Sequence, residues 1–287
     1  MMDMKKSAKK KSVYSGKSPG SFKFKNIKYE KSGYKATITI NREKVYNCVD
    51  LKTINELEAA FKDAGWDDDI AVIILTGAGK KAFSTGADLD EQKEYFIGNP
   101  NDYYKWMYEF IRLHETMRNV GKPTIARLNG IVVGGGNELH MSCDLAIAAD
   151  HIYIKQVGSA RGSVAAAGAT QFLPLIVGDR RAREILFLCE EIPAKKALEW
   201  GLVNEVVPYA KLDKAVDRLA EKLYNKLPQC LRYTKQQLNF WRDLSWHLTI
   251  GHARDWLSIH NLSDEVKEGI SAFVEKREVN YKKARKA

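Results

Sequence analysis

Asn129-Gly130-Ile131-Val132-Val133-Gly134-Gly135-Gly136-Asn137-Glu138-Leu139 is the stretch from which the rest of this chain is read. An apolar, β-branched run ends in three consecutive glycines, and a helix-compatible segment follows with a carboxylate on its first turn. Glycines let the backbone turn tightly and put no Cβ between a ligand and the peptide N–H groups. The first N–H groups of a helix have no partner within it, and the helix dipole adds positive potential there. Such donors can hold an oxygen as negative charge develops on it. Glu138 then reaches the same pocket as an acid or base. Taken alone, the glycines read equally well as a plain turn between a strand and a helix.

A second segment repeats the arrangement. Residues 70–79 form another apolar run, and Lys81-Ala82-Phe83-Ser84-Thr85-Gly86-Ala87-Asp88-Leu89 follows as a small-residue turn into a polar helical pattern. Two such turns can each offer one backbone N–H to the same oxygen.

At 287 residues the chain has room for a full core and one or two domains. It has no apolar run near the roughly 20 residues that span a bilayer, and no apolar stretch behind the N-terminal lysines to make a signal peptide. Cys48, Cys143, Cys189 and Cys230 lie far apart with no C-x-x-C pair, which fits reduced thiols in a cytoplasmic protein and gives no metal motif. The net charge of +10 sits at the two ends, +5 in residues 1–20 and +5 in residues 276–287, so the body between them is neutral. Residues 1–20 read as a basic, disordered tail. With no basic face of interleaved aromatics in the body, nucleic acid is not the expected partner.

Strand-like segments at residues 35–41, 70–76, 124–133 and 145–156 mostly lead through a turn into a helical pattern, which predicts an α/β fold. Residues 103–118 carry Trp106, Phe110, Leu113 and Met117 on one helical stripe, expected to pack in the core. From residue 180 the pattern is helical nearly to the end. Residues 228–255 and their neighbours are unusually aromatic, with Tyr233, Phe240, Trp241, Trp246 and Trp256, and read as an exposed assembly surface.

The segments AFSTGADL (residues 82–89) and NGIVVGGGNELHMSCDLAIA (residues 129–148), with Gly201-Leu202-Val203-Asn204-Glu205-Val206-Val207-Pro208, resemble the crotonase (enoyl-CoA hydratase/isomerase) superfamily in order and spacing. The resemblance runs from about residue 22 to residue 283. It implies a spiral of repeated ββα units over residues 21–208, carrying the acyl-CoA site, and a C-terminal helical trimerisation region over residues 209–287. It implies a homotrimer, or a hexamer of two trimers, whose C-terminal helices cover a neighbouring subunit's active site. The expected chemistry stabilises the enolate of an acyl-CoA thioester, with N–H donors at Ala87 and Gly135 and with Glu138 as one of two glutamates that handle water. Lys44 and Val45, the turn Thr85, Gly86, Ala87, Asp88 and Leu89, and Gly134 fall at positions that bind substrate and CoA. Lys276, in Phe273-Val274-Glu275-Lys276-Arg277, matches a lysine that the resemblance places, from a neighbouring subunit, near the CoA phosphates. CoA comes as part of the substrate, so no separate cofactor is expected.

The chain departs from a standard hydratase at Gly158, where the second glutamate would stand. The run from Arg161 to Pro174 is similar to the naphthoate-synthase-related branch, and Ser163 is a candidate contact to a substrate carbonyl or water. That branch has an aspartate where this chain has Ala165. Gly98-Asn99-Pro100, the run Gly168-Ala169-Thr170 ending Phe172-Leu173-Pro174-Leu175, and Leu227-Pro228-Gln229-Cys230 resemble the ring-opening 6-oxocyclohex-1-ene-1-carbonyl-CoA hydrolases. Three readings follow: hydration of an unsaturated enoyl-CoA, straight-chain or cyclic; hydrolytic opening of a cyclic β-oxoacyl-CoA; and a non-catalytic scaffold or RNA-associated protein. His140, two residues after Glu138, points about 200° away on a helix and reads as structural. Asp88 reads as a helix cap and Asp144 as structural.

Overall fold

The computed structural model describes residues 15–284. Its strands, numbered in chain order, form two sheets. β1 (Ile27–Ser32), β2 (Lys35–Ile40), β3 (Val72–Gly77), β5 (Thr124–Leu128), β7 (Leu145–Ala149) and β10 (Glu205–Val207) make the first, in that spatial order. β4 (Ala82–Ser84), β6 (Ile131–Val133), β8 (Tyr153–Lys155) and β9 (Ile192–Pro193) make the second. All neighbouring pairs are parallel except β1–β2 and β8–β9. Consecutive strands β3/β4, β5/β6 and β7/β8 each place one member in either sheet, and a helix follows each pair. This is the expected spiral of ββα units.

Helix α1 (Leu51–Trp66) precedes the first of these units. The pair β3/β4 leads to α2 (Leu89–Glu91), a π-helical turn at Gln92–Phe96, and α3 (Pro100–Asn119). The pair β5/β6 leads to α4 (Gly135–Met141), and β7/β8 to α5 (Gly158–Arg161), α6 (Ala169–Val177) and α7 (Asp179–Leu188). Then come α8 (Ala194–Glu199), α9 (Leu212–Tyr224), α10 (Pro228–Arg242), α11 (Leu244–His260), α12 (Asp264–Val274) and α13 (Tyr281–Ala284).

Local chemistry explains these elements. β3 is buried along its whole length, so its Val-Ile-Ile-Leu run suits a parallel strand covered on both faces. Asp50 caps α1 by accepting from the Thr53 N–H at 2.7 Å, and Ile54, Leu57, Phe61 and Ala64 form its buried stripe. α3 starts with Asn99 as cap and Pro100 at its first position, and packs Trp106, Phe110, Leu113 and Met117 inward as expected.

Two expected strands are corrected. Residues 124–133 and 145–156 each break and change sheets, at Asn129-Gly130 and at residues 150–152. The first break is forced by contact, since a Cβ on Gly130 would lie 2.4 Å from the Ala82 nitrogen. The Asn129 side chain replaces the lost ladder bonds. It accepts from the Gly77 N–H at 3.0 Å and donates to the Gly79 and Ala82 carbonyls at 2.9 and 3.0 Å.

The ends differ too. Of the expected disordered tail, residues 1–14 lie outside the described residues. Residues 15–20 are attached: the Lys17 N–H donates to Asp63 at 2.7 Å, and Pro19–Phe22 forms a 3₁₀ turn whose Phe22 stacks on Phe24. At the other end Trp241 is 74% exposed, but Trp246 is wholly buried. It stacks on Phe172 with centroids 5.7 Å apart, so it belongs to the core and not to the exposed surface. α11 packs along α3, and α12 against α5 and α2, of the same chain. These helices therefore lie over the spiral of their own chain. Among the described residues no helix is long and apolar enough to cross a membrane.

Candidate active site

The three glycines each answer a different steric demand. Gly134 has φ 54° and ψ −122°, a conformation that side-chain-bearing residues avoid, and its N–H donates to the Lys155 carbonyl at 2.9 Å. A Cβ on Gly136 would come within 2.1 Å of the Ser84 oxygen, so the start of α4 lies directly on the end of β4. A Cβ on Gly135 would stand 3.2 Å from Gly86 Cα, 3.2 Å from Phe110 Cζ and 3.6 Å from the Ala87 nitrogen. The two glycine turns thus lie side by side.

Ala87 is held by a parallel bridge to Val49. The Val49 N–H donates to the Gly86 carbonyl at 2.8 Å, and the Asp88 N–H to the Val49 carbonyl at 3.0 Å. Because the flanking groups serve that bridge, the Ala87 N–H is directed off it. The Gly135 N–H, first in α4, has no acceptor within the helix.

Glu138 follows on the same turn of α4. It is 5% exposed, and its Oε1 has no hydrogen-bond partner among the described residues. Burial pushes its carboxyl up to about 8, against the backbone N–H groups of Ala169 and Ala167 at the start of α6, which pull the other way. His140 is buried and turned elsewhere, with Nδ1 3.1 Å from Asn137 Oδ1; burial takes its pKa down to about 4. It is structural, as its spacing implied.

The remaining sequence candidates fall into two groups. Lys44 and Val45 are exposed in the 3₁₀ turn Glu43–Val45, and the Thr85 hydroxyl donates to the Tyr46 carbonyl at 3.3 Å. That contact brings the Lys44 turn to Thr85, Gly86, Ala87, Asp88 and Leu89. Asp88 caps α2 by accepting from the Asp90 and Glu91 N–H groups and pairs with Arg42 at 2.8 Å. Despite a burial effect that acts to raise it, Arg42 and these donors hold its carboxyl below the usual range. Asp144 accepts from Thr124 and pairs with Lys235 at 2.7 Å, a structural role. Gly158 opens α5, and the exposed Ser163 donates its N–H to the Gly158 carbonyl at 2.9 Å. Lys276 is exposed beyond the end of α12, with φ 54°.

Sequence reasoning missed three contributors. Phe110 abuts Gly135, Arg42 fixes Asp88, and Tyr103 on α3 lies close enough to feel the Glu138 charge. Tyr103 stands one turn before the stripe Trp106, Phe110, Leu113 and Met117 and was not read as part of it. An open groove of about 610 Å³ between Phe22, Phe24, Leu51, Asn55, Glu56 and Glu91 contains none of the candidate residues.

The model of the enoyl-CoA hydratase/isomerase family matches residues 30–284. The chain belongs to that family. Its acyl-CoA substrates and hydratase-type chemistry come with membership in this crotonase superfamily. Similar solved structures include an enoyl-CoA hydratase from Mycobacterium avium subsp. paratuberculosis K-10, 25% identical with a TM-score of 0.81, over 89% of this chain and 98% of that one. An enoyl-CoA hydratase from Bacillus anthracis is 32% identical with a TM-score of 0.72, over the same shares. An enoyl-CoA hydratase/isomerase from Xanthobacter autotrophicus Py2 is 28% identical with a TM-score of 0.80, over 88% and 97%. The α/β crotonase fold is common to all of them.

Proposed function

We propose that this enzyme adds water to an α,β-unsaturated acyl-CoA, with Glu138 moving the proton. The observation that carries the reading is the placement of one dry, incompletely paired carboxyl on the same helical turn as the Gly135 amide, which lies against Ala87. The thioester oxygen sits at the Ala87 and Gly135 N–H groups, which stabilise it more as it gains charge than in the ground state. Ionised Glu138 takes a proton from water as the water oxygen bonds to Cβ, and the C=C electron pair moves to form the enolate. Glu138 then returns that proton to Cα as the enolate electrons form the Cα–H bond. One carboxyl thus serves both halves of the addition. The CoA moiety is held along Lys44, Val45 and the Thr85–Leu89 turn, with Lys276 near its phosphates. The active form is a trimer or a pair of trimers, assembled through the exposed aromatic surface of α10 and α11.

A second reading rests on Gly158. A Cβ there would meet the Ser163 carbonyl oxygen at 2.8 Å, so the position of the second hydratase glutamate is filled by backbone. That loss favours the branch of ring-opening hydrolases, in which water attacks the ring carbonyl of a cyclic β-oxoacyl-CoA and a C–C bond breaks.

The test is a mass-spectrometric screen against straight-chain and cyclic enoyl-CoA and β-oxoacyl-CoA thioesters, with newly formed carboxylates counted. A hydroxyacyl-CoA product supports the hydratase and a dicarboxylic acyl-CoA the hydrolase. Absence of turnover overturns both and leaves the scaffold reading.

A further inference from the structure

The direction of the Ala87 N–H is set by the residue before it. A trans peptide is planar, so the Gly86 carbonyl and the Ala87 N–H, which belong to one peptide unit, point in opposite directions. The Gly86 carbonyl accepts from the Val49 N–H at 2.8 Å, which turns the Ala87 N–H away from Val49. Any slide or rotation of the Val49 segment therefore re-aims this donor. The segment meets Ala87 in an isolated bridge outside the strands of either sheet. That bond and the 3.0 Å bond from the Asp88 N–H to the Val49 carbonyl join the two backbones.

Arg42 spans this bridge. It follows β2 and directly precedes the 3₁₀ turn Glu43–Val45. Its Nη1 donates to the Cys48 carbonyl at 2.9 Å, one residue before Val49, and its Nη2 lies 3.2 Å from the Asp50 carboxylate, one residue after it. The same Nη2 donates to Asp88 Oδ2 at 2.8 Å, one residue after Ala87. One guanidinium thus grips both sides of Val49 and the far side of Ala87. Asp88 is fixed at its other oxygen as well, where Oδ1 accepts from the Asp90 and Glu91 N–H groups at 3.1 and 3.2 Å. Arg42 is anchored in turn. Its own N–H donates to Asn47 Oδ1 at 3.1 Å, and Asn47 Nδ2 donates to the Ala78 and Ala82 carbonyls at 3.0 and 2.8 Å. The clamp is therefore tied to the connection between β3 and β4.

We infer that Arg42 is a positioning residue for the thioester oxygen: by clamping the Val49–Ala87 bridge it fixes the angle at which the Ala87 N–H meets that oxygen. This role rests on the contact between Ala87 and the thioester proposed above and is common to its hydratase and hydrolase forms, since both pass through the thioester enolate. It requires a fork. Lysine would bring the same charge to Asp50 and Asp88, but its single nitrogen cannot also stand at the Cys48 carbonyl.

The experiment compares the parent enzyme with Arg42→Lys and Asp88→Asn in the full chain. Each is assayed with the substrate found in the product screen and is titrated with pH while saturated with acetoacetyl-CoA, whose enolate absorbs in the near ultraviolet. The parent should ionise the bound probe at a lower pH than free solution does. Arg42→Lys should raise that pH by about one unit and lower kcat about tenfold, with KM within about threefold. Asp88→Asn keeps an acceptor for the cap but loses the charge, and should move both readouts in the same direction. If Arg42→Lys does not fold, Asp88→Asn decides by the same titration. An unmoved ionisation of the bound probe would overturn the inference, whatever happens to the melting temperature. So would a loss confined to KM, which would assign Arg42 to the CoA-binding turn at Lys44. If the parent does not favour the enolate of the bound probe at all, the reading of Ala87 and Gly135 as oxygen donors falls, and this inference falls with it.

Discussion

The Arg118 guanidinium lies 3.9 Å from the centre of the Trp246 ring, with both side chains fully buried. Arg118 comes from α3 and Trp246 from α11, so this pair fastens the C-terminal helices to the wall of the candidate site. Arg118 Nε pairs with Asp243 at 3.1 Å, while its two terminal nitrogens have no hydrogen-bond partner among the described residues and rest on Trp246 and Phe172. Trp246 Nε1 donates to Glu115 at 3.1 Å, tying α11 to α3 a second time.

Arg118→Ala should therefore cost about 3–5 kcal/mol, because Asp243 would remain buried with only Arg242, at 3.4 Å, to face it. Urea denaturation followed by tryptophan fluorescence measures the loss. A change below about 1 kcal/mol would mean that the pair contributes nothing net.

Glu138→Gln should lower turnover by roughly two to four decades with CoA affinity nearly intact. It should also change how stability depends on pH. The folded carboxyl holds its proton up to about 8, whereas the ordinary value is 4.5. Between those values the folded state binds the proton more tightly than the unfolded chain, so stability falls as pH rises through the window. The glutamine variant lacks this slope. It should be more stable than the parent at pH 9, with the difference vanishing towards pH 4; denaturation midpoints across that range decide the matter.

Restoring a carboxylate by Gly158→Glu should fail. The Ser163 carbonyl occupies the path of the new side chain at 2.8 Å from its Cβ, and backbone cannot swing aside as a flexible side chain would. The expected result is a lower melting temperature and no gain in turnover. Gly136→Ala should be more damaging, since its Cβ would lie 2.1 Å from the Ser84 oxygen and would push α4 off β4. Melting curves of the two variants, run together, test that order.

Trp241→Glu should weaken assembly while preserving the subunit fold, because this ring is exposed and Trp246 is not. Sedimentation velocity at several concentrations should show a shift towards the single chain. An unchanged sedimentation coefficient would remove this part of α10 from the interface.

Gly134, Gly135 and Gly136 were legible because their reasons are steric and no other residue type meets them. The stripe of α3 was legible for its period. What escaped had no period to display. β4, β6, β8 and β10 are three residues each, and β9 is shorter still, so the switch between sheets at Asn129-Gly130 depends on contacts to Ala82, 47 residues away in the chain. The docking of α11 and α12 on their own chain was likewise invisible, because an apolar helix face does not say whose surface it covers.

The attachment of α6 to α11 has a consequence for synthesis. Phe172 rests on Trp246, Gln171 donates to the Thr249 hydroxyl at 3.1 Å, and the Ser245 hydroxyl donates to the Gln171 carbonyl at 3.2 Å. α6 is also the element whose first amides face Glu138. A nascent chain that has emerged only through α9 has both glycine turns but lacks the support behind α6. Glu138 would then be wetter and would titrate closer to an ordinary carboxylate. The acidity of one side chain near the middle of the sequence is thus a gauge of whether the last quarter of the chain has arrived and folded.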